Sequence, residues 1–368
     1  MIVVVGAGPC GLFVASRLHD LGHDVLVLSS SQKLFSFKNP KLKNWIESPG
    51  LGGRAKLWGG WLDFPDKPSF KEEKWPLSFD DLKKQEKKVR KWLQAEKQYT
   101  SKKLMQEGYR PKDQANRKWQ RWPFKIRKNI HVVELIEEKN KIIGLRCWDE
   151  KKKKQVQIQA REVILSCSPF STISLLKKLK NRSSDLEKSM TNHMVAGKIA
   201  IFPQSKIHSK PSFCYKPVEK GVIELQGPLP AKILNPAWGN YEYYKLHYIA
   251  ELNPKNFNVS NFQITGDIIF NSKEKVLAKK MEKQLDQEIK NLKLKGAIKV
   301  KIQKTLNMTN IAHESGGAVM GKVVDKKGRV KNYQNLSVMD ASVMPTALKT
   351  YPTLTLLCLI NYLLEKRN

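Results

Sequence analysis

Residues 2–31, IVVVGAGPCGLFVASRLHDLGHDVLVLSSS, decide the fold. The apolar run Ile2–Val5 enters a glycine turn, and Ala15, Leu18 and Leu21 then recur on one helical face. Gly22 ends that helix and Asp24–Leu28 supplies a second buried strand. Gly6 permits the tight turn, Gly8 lets the backbone approach a pyrophosphate, and Gly11 lets helix pack closely on strand, with Pro9 between them at the helix start. A bare GxGxxG is a weak signal. Bracketed by two apolar strands, it indicates a dinucleotide cofactor on an α/β fold. The second strand ordinarily ends on an acid that accepts from a ribose hydroxyl, but here Ser29 stands there. A hydroxyl accepts more weakly than a carboxylate, so binding must rely more on the pyrophosphate and the rest of the pocket.

Composition bounds the remainder. With 368 residues, 40% of them hydrophobic, the chain can bury one large core or two closely built ones. An apolar strand follows Met1 with no basic leader, and no apolar run reaches membrane-spanning length, so a cytoplasmic protein is expected. Five scattered cysteines (Cys10, Cys147, Cys167, Cys214 and Cys358) have neither metal-site nor disulfide spacing, and reduced thiols are expected. A net charge of +33 invites an anionic partner such as nucleic acid or an anionic surface. The basic residues are spread along the chain, however, and no basic helix-turn-helix, zinc ligand set or interleaved aromatic–basic motif argues for nucleic acid. Peripheral contact with an anionic surface is left open.

A second glycine cluster, SPGLGGRAKLWGGWLDFP (48–65), sets Gly52, Gly53, Gly59 and Gly60 around Trp58. Flexible linkers seldom carry tryptophans between their glycines, so this segment reads as backbone wrapped on a flat ligand. Next, WPLSFDDLKKQEKKVRKWLQ (75–94) predicts a helix with a Ser78–Asp81 capping box and a buried side of Leu82, Val89 and Leu93.

In these segments, and in those that follow, the chain resembles the glucose–methanol–choline (GMC) family of FAD-dependent oxidoreductases. LGGRAKLWGG resembles the glycine-rich flavin-covering segment, which assigns Gly53, Arg54, Trp58 and Gly59 to the cofactor. HVVELIEEKNKIIGLRCWD (131–149) resembles the strand pair at the adenine end, with Val133 as a backbone contact to that ring. REVILSCSPFSTISLL (161–176) resembles the strand and helix beside the cofactor, where Cys167 and Ser168 replace the usual Ala-Gly. AHESGGAVMG, VVDKKGRVKNYQNLSVMDASVMPT and YPTLTLLCL, in that order near the C-terminus, are the most specific group. The resemblance implies that Asp340 and Ala341 close on the ribityl and phosphate region. It also implies that Pro352 and Thr353 open a helix whose positive end faces the flavin and stabilises the reduced ring. Some members attach flavin to a histidine preceding the tryptophan of the glycine-rich segment. Leu57 occupies that place, so noncovalent FAD is expected.

The family oxidises alcohols, a base taking the hydroxyl proton while carbon passes hydride to flavin N5. His313 matches the histidine of that motif, and imidazole, titrating near neutrality, suits a base at working pH. Gly316 and Gly317 are read as letting the chain turn beside a planar ring. The other six of the seven histidines, including His131, His193, His208 and His247, are read as structural or solvated. Tyr351 stands where the family has Asn or His; a phenol can orient a substrate oxygen, or its ring can simply pack.

The expected fold is thus α/β: a Rossmann-like FAD/NAD(P)-binding domain, residues 1–190 and 306–368, with a mainly antiparallel substrate domain, 191–305. Strands are predicted in HMVAGKIAIF, KGVIELQG, YYKLHYIAEL, FQITGDIIF and AIKVKIQKT, and a helix over 272–292. The expected activity is oxidation of an alcohol, with a sugar or sugar derivative as a candidate substrate and an unidentified electron acceptor. The alternative is a catalytically impaired flavin-binding protein serving as a binding or assembly module, which the departures at Ser29, Ser168 and Tyr351 keep open.

Overall fold

The computed structural model describes residues 1–34, 36–37, 48–57, 60, 62, 64–65, 67–70, 74–97, 106–107, 109–111, 122–203, 212–218, 221–230, 241–252, 258–260, 263–265, 271–291, 299–303 and 313–367. The chain opens with β1 (Ile2–Val5), α1 (Pro9–Asp20) and β2 (Val25–Ser29), followed by the helix pair α2 (Phe79–Lys84) and α3 (Glu86–Leu93). β3 (Lys125–Lys128) precedes a ribbon of β4 (Ile130–Glu138), β5 (Lys141–Asp149) and β6 (Lys154–Gln159). β7 (Glu162–Leu165) and α4 (Pro169–Leu176) lead into the long strands β8 (Met190–Pro203), β9 (Ser212–Val218), β10 (Gly221–Pro230) and β11 (Tyr241–Leu252). α5 (Ser272–Asn291), β12 (Lys299–Gln303), β13 (Leu336–Val338) and α6 (Pro352–Glu365) complete the elements used below.

β13, β7, β1, β2 and β3 form a five-stranded sheet in that order, every pair parallel. β1 lies at its centre and every residue of β1 and β2 is buried. Uniformly apolar strands are what a sheet covered on both faces requires. α1 packs against β1, β2 and α6, and Leu12, Leu357 and Ile360 are fully buried in the same core. Each such side chain contributes about 1.5–3 kcal/mol on burial.

The second sheet runs β12–β8–β11–β10–β9, every pair antiparallel, and continues to Gln106–Glu107. α5 lays Ala278, Met281 and Leu285 over Met194, Ile223, Leu225 and Leu246, a separate apolar core. The described part of the predicted FQITGDIIF strand does not join this sheet. That part, Gln263–Thr265, pairs with Asn258–Ser260 and with Ser36–Phe37, and 266–270 lie outside the described residues.

Ser78 caps α2 as expected, its Oγ accepting from the Asp81 N–H at 3.1 Å. The predicted single helix is instead two, turning at Gln85. The buried Gln85 amide is pinned to α6, accepting from Asn361 Nδ2 at 2.7 Å and donating to Glu365 at 3.1 Å. Among the described residues no helix is long and apolar enough to cross a membrane.

Candidate active site

The β1–α1 turn is built by contacts that only glycine allows. A Cβ on Gly6, which has φ +108°, would meet the Ser166 carbonyl oxygen at 2.3 Å. On Gly11 it would lie 1.9 Å from the Gly6 oxygen, so Gly11 holds helix to turn and does not reach the pocket wall. Gly8 behaves differently: a Cβ there would have nothing within 4 Å, because that side of the turn faces open space. Gly6, Gly8 and Pro9 line a cavity of about 380 Å³ at the C-terminal ends of β1, β2 and β7. That is where open α/β sheets bind ligands, at the strand from which neighbours diverge to both sides. Gly8 caps α1 without a side-chain hydrogen bond and the first turn holds no acid, so the helix presents its positive end to the cavity. Gly53 closes over it; a Cβ there would sit 3.2 Å from the Gly8 Cα.

At the β2 end, Ser29 and Ser30 line the cavity. A carboxylate does reach this point, although from a distant segment. Glu150, in the β5–β6 turn, accepts from Ser30 Oγ and from the Ser31 N–H at 2.8 Å. Ile130, His131 and Val132 also face the cavity, and burial lowers the pKa of His131 while Glu150 opposes that shift. Val133, expected as a backbone contact, is not among the residues lining the cavity. Val133 falls at a bulge in the β4–β5 pairing, between Val132 and Glu134, and its carbonyl accepts from Lys178 Nζ at 2.9 Å instead of facing the cavity.

Cys167, Ser168, Asp340 and Ala341 line the middle. Asp340 is buried with its carboxylate committed: Oδ2 accepts from Thr172 Oγ1 at 2.7 Å, and Oδ1 from the Ser342 N–H at 2.9 Å and Oγ at 2.5 Å. Burial nonetheless raises its pKa. It therefore ties α4 to the β13 exit rather than offering free lone pairs. Ser168 adopts φ +86° and ψ 154°, a region that suits glycine and strains a side chain. Burial, with Asp340 adding to it, pushes the Cys10 and Cys167 thiols up, away from the reactive thiolate. Trp58 and Gly59 lie outside the described residues.

The opposite end holds His313. Residues 315–316 pair antiparallel with the start of β8, Thr191↔Ser315 and Met190↔Gly316, which draws the preceding His313 to the sheet. The glycines serve that packing, not a flat ligand as expected. A Cβ on Gly316 would meet the Ser189 oxygen at 2.0 Å, and one on Gly317 would meet Ile173 Cδ1 at 2.4 Å. His313 lines the cavity with Pro352 and Thr353. Its Nδ1 lies 3.0 Å from His193 Nδ1, and its ring meets Tyr351 edge-on at 5.3 Å. Burial, then His193, Arg54 and His247, hold the His313 pKa well below 6.5, so the imidazole is neutral and able to accept a proton. Tyr351 does not itself line the cavity; its hydroxyl lies 3.3 Å from His247 Nδ1. His193 and His247 are buried on β8 and β11, so the solvated reading fails for both, while His208 lies outside the described residues.

Arg54 joins the two halves. Its guanidinium grips the Glu314 carboxylate with both nitrogens, NH1 at 2.6 Å from Oε2. Glu314, which no sequence motif singles out, is buried beside His313. α6 begins at Pro352 with Tyr351 as a cap whose side chain makes no capping hydrogen bond to the helix, and with no acid in its first turn. Two helices thus aim positive ends at one cavity, which fits a ligand carrying a diphosphate and an electron-rich ring.

A family model described as GMC oxidoreductase matches residues 260–359. No curated protein matches the chain in sequence. The crystal structure of pyridoxine 4-oxidase from Mesorbium loti is similar over 100% of this chain and 99% of that one, with a TM-score of 0.66 and 14% identity. At that identity the likeness speaks for the fold. The matched region contains His313, Asp340, Tyr351 and Pro352, so this C-terminal part of the chain is similar to the GMC oxidoreductases.

Proposed function

We propose that the chain oxidises an alcohol to a carbonyl compound with noncovalently held FAD, His313 acting as the base. The observation that carries this reading is one cavity lined both by the Gly6–Pro9 turn and by a neutral imidazole. FAD, when bound, supplies a ring that takes hydride from the substrate carbon. The α1 N-terminus would hold its diphosphate, Gly8 leaving the backbone bare for close approach while Gly53 packs against Gly8. The α6 N-terminus would favour negative charge on the ring. His313 accepts the hydroxyl proton, while Tyr351 buttresses it edge-on. Leu57 before Trp58, and two cavity thiols held protonated, support noncovalent binding. In this reading residues 1–190 and 306–368 form a Rossmann-like cofactor domain, and 191–305 supply the substrate side, His193 and His247 included.

A sugar ring is one candidate substrate, and Trp122 is an aromatic side chain that could stack on such a ring. Trp122 stacks instead on Trp92 and Phe124, at 6.2 and 5.4 Å, and so serves packing. The similarity to a pyridoxine 4-oxidase adds pyridoxine to the panel. The test is anaerobic: neutral and acidic sugars, simple alcohols and pyridoxine are added to the flavin-loaded chain while absorbance near 450 nm, the usual flavin band, is followed. Bleaching by an alcohol, slowed at least ~10²-fold in His313→Ala, is expected from the loss of a general base. Colour that no alcohol bleaches favours a flavin-binding module without catalysis.

A further inference from the structure

Among the described residues, His193 is the polar side chain in hydrogen-bond contact with His313, and its own second nitrogen fixes what that contact means. His193 Nε2 lies 2.8 Å from the Ala347 carbonyl oxygen and 3.0 Å from that of Leu348. Carbonyls only accept, so this nitrogen carries a hydrogen. A neutral His193 then has a bare lone pair on Nδ1, which faces His313 Nδ1 at 3.0 Å. Two bare nitrogens cannot bond, so the hydrogen between them belongs to His313. We propose that His193 is a positioning residue that sets the tautomer of His313, keeping hydrogen on Nδ1 and the accepting lone pair on Nε2.

The chemical consequence rests on the alcohol-oxidising reading above. The substrate proton moves to His313 Nε2, giving an imidazolium whose Nδ1–H still donates to His193. Behind it, the His193 Nε2–H remains held by two carbonyl dipoles, so the positive charge is spread along a chain of hydrogen bonds. The carbonyls lie on the segment just before Tyr351, and His193 on β8, so three separate parts of the chain meet to define one lone pair.

Two-bond proton–nitrogen correlation spectra of the ¹⁵N-histidine-labelled, flavin-loaded chain read the tautomers directly. A His313→Gln variant assigns the signals. The expected pattern is a hydrogen-bearing Nδ1 and a bare Nε2 on His313, with the reverse on His193. A hydrogen on His313 Nε2, or a doubly protonated His193, overturns the proposal. His193→Phe should retain flavin colour, release His313 to the other tautomer and slow alcohol-driven bleaching at least tenfold. His193→Gln, whose amide can accept from His313 and donate to the carbonyls, should recover most of the rate; equal loss in both variants counts against positioning. The two ideas fail separately. The expected tautomer without bleaching by any alcohol sinks the activity alone, and bleaching with hydrogen on Nε2 sinks the tautomer argument alone.

Discussion

Replacing Arg54 by methionine tests how the glycine-rich segment is locked to the catalytic corner. Arg54 holds Glu314 bidentately, and the two side chains are 28% and 2% exposed. Methionine preserves much of the stem but removes the cation, leaving a buried carboxylate without its guanidinium. Breaking a buried pair in this way costs about 3–5 kcal/mol. Because the arginine side of the pair is partly open to water, the loss belongs at the lower end, about 3 kcal/mol. Adding Glu314→Gln removes the stranded charge, so the double variant should regain at least ~2 kcal/mol, a coupling far outside additivity. Urea unfolding of the flavin-loaded chain, followed by tryptophan fluorescence, measures both. Arg54 also helps depress the His313 pKa, so its removal should move the acid limb of activity upward in pH. A loss under about 1 kcal/mol in the single variant, or strictly additive effects, would refute the buried-pair reasoning.

Three further outcomes are expected. His313 is held below its ordinary pKa of about 6.5, so as pH falls the unfolded chain takes up the proton first. Its contribution to stability is therefore full above pH ~6.5 and lost below it, and His313→Gln should flatten the urea midpoint between pH 8 and 5.5. Ser168→Gly relieves a strained φ of +86°, about 1–3 kcal/mol, against ~0.4–1 kcal/mol of added chain freedom when unfolded. A net gain near 1 kcal/mol in urea unfolding is expected, and a loss would deny the strain. Glu150→Ala unties Ser30 and Ser31 at the β2 tip, and fluorescence titration should show FAD binding weakened about tenfold, as for a charged hydrogen bond, with FMN unaffected. An equal effect on FMN would place Glu150 outside an adenosine-end role.

Local signals carry much of this architecture. The strand–turn–helix of residues 2–20 is legible because its periodicity and its glycines act within a few residues, and the Ser78 cap reaches only to Asp81. The helix turn at Gln85 is hidden because its cause is a pair of bonds to α6 near the other end of the chain. The placement of Val133 off the cavity lining has a similar origin: strand alternation is visible, but a bulge that resets it depends on the partner strand. His193 and His247 look ordinary in sequence since neither sits in a motif. They meet His313 and Tyr351 across 120 and 104 residues, through sheet pairing that a linear pattern does not record. Glu150 likewise restores a carboxylate beside Ser30 from 120 residues away. Because Ser29 leaves the strand tip without an acid, a search for acids flanking the adenine-end strands could find it. The glycines at 316 and 317 are legible as necessary but for the wrong reason, since the tight approach is to the chain's own backbone and side chains.

The most direct measurement is the chromophore of freshly purified chain. Absorbance bands of an oxidised flavin should be present, or appear on adding FAD, and acid denaturation should release FAD into the supernatant with none left on the polypeptide. A colourless chain that takes up no FAD, or one that keeps its flavin after denaturation, would contradict the account.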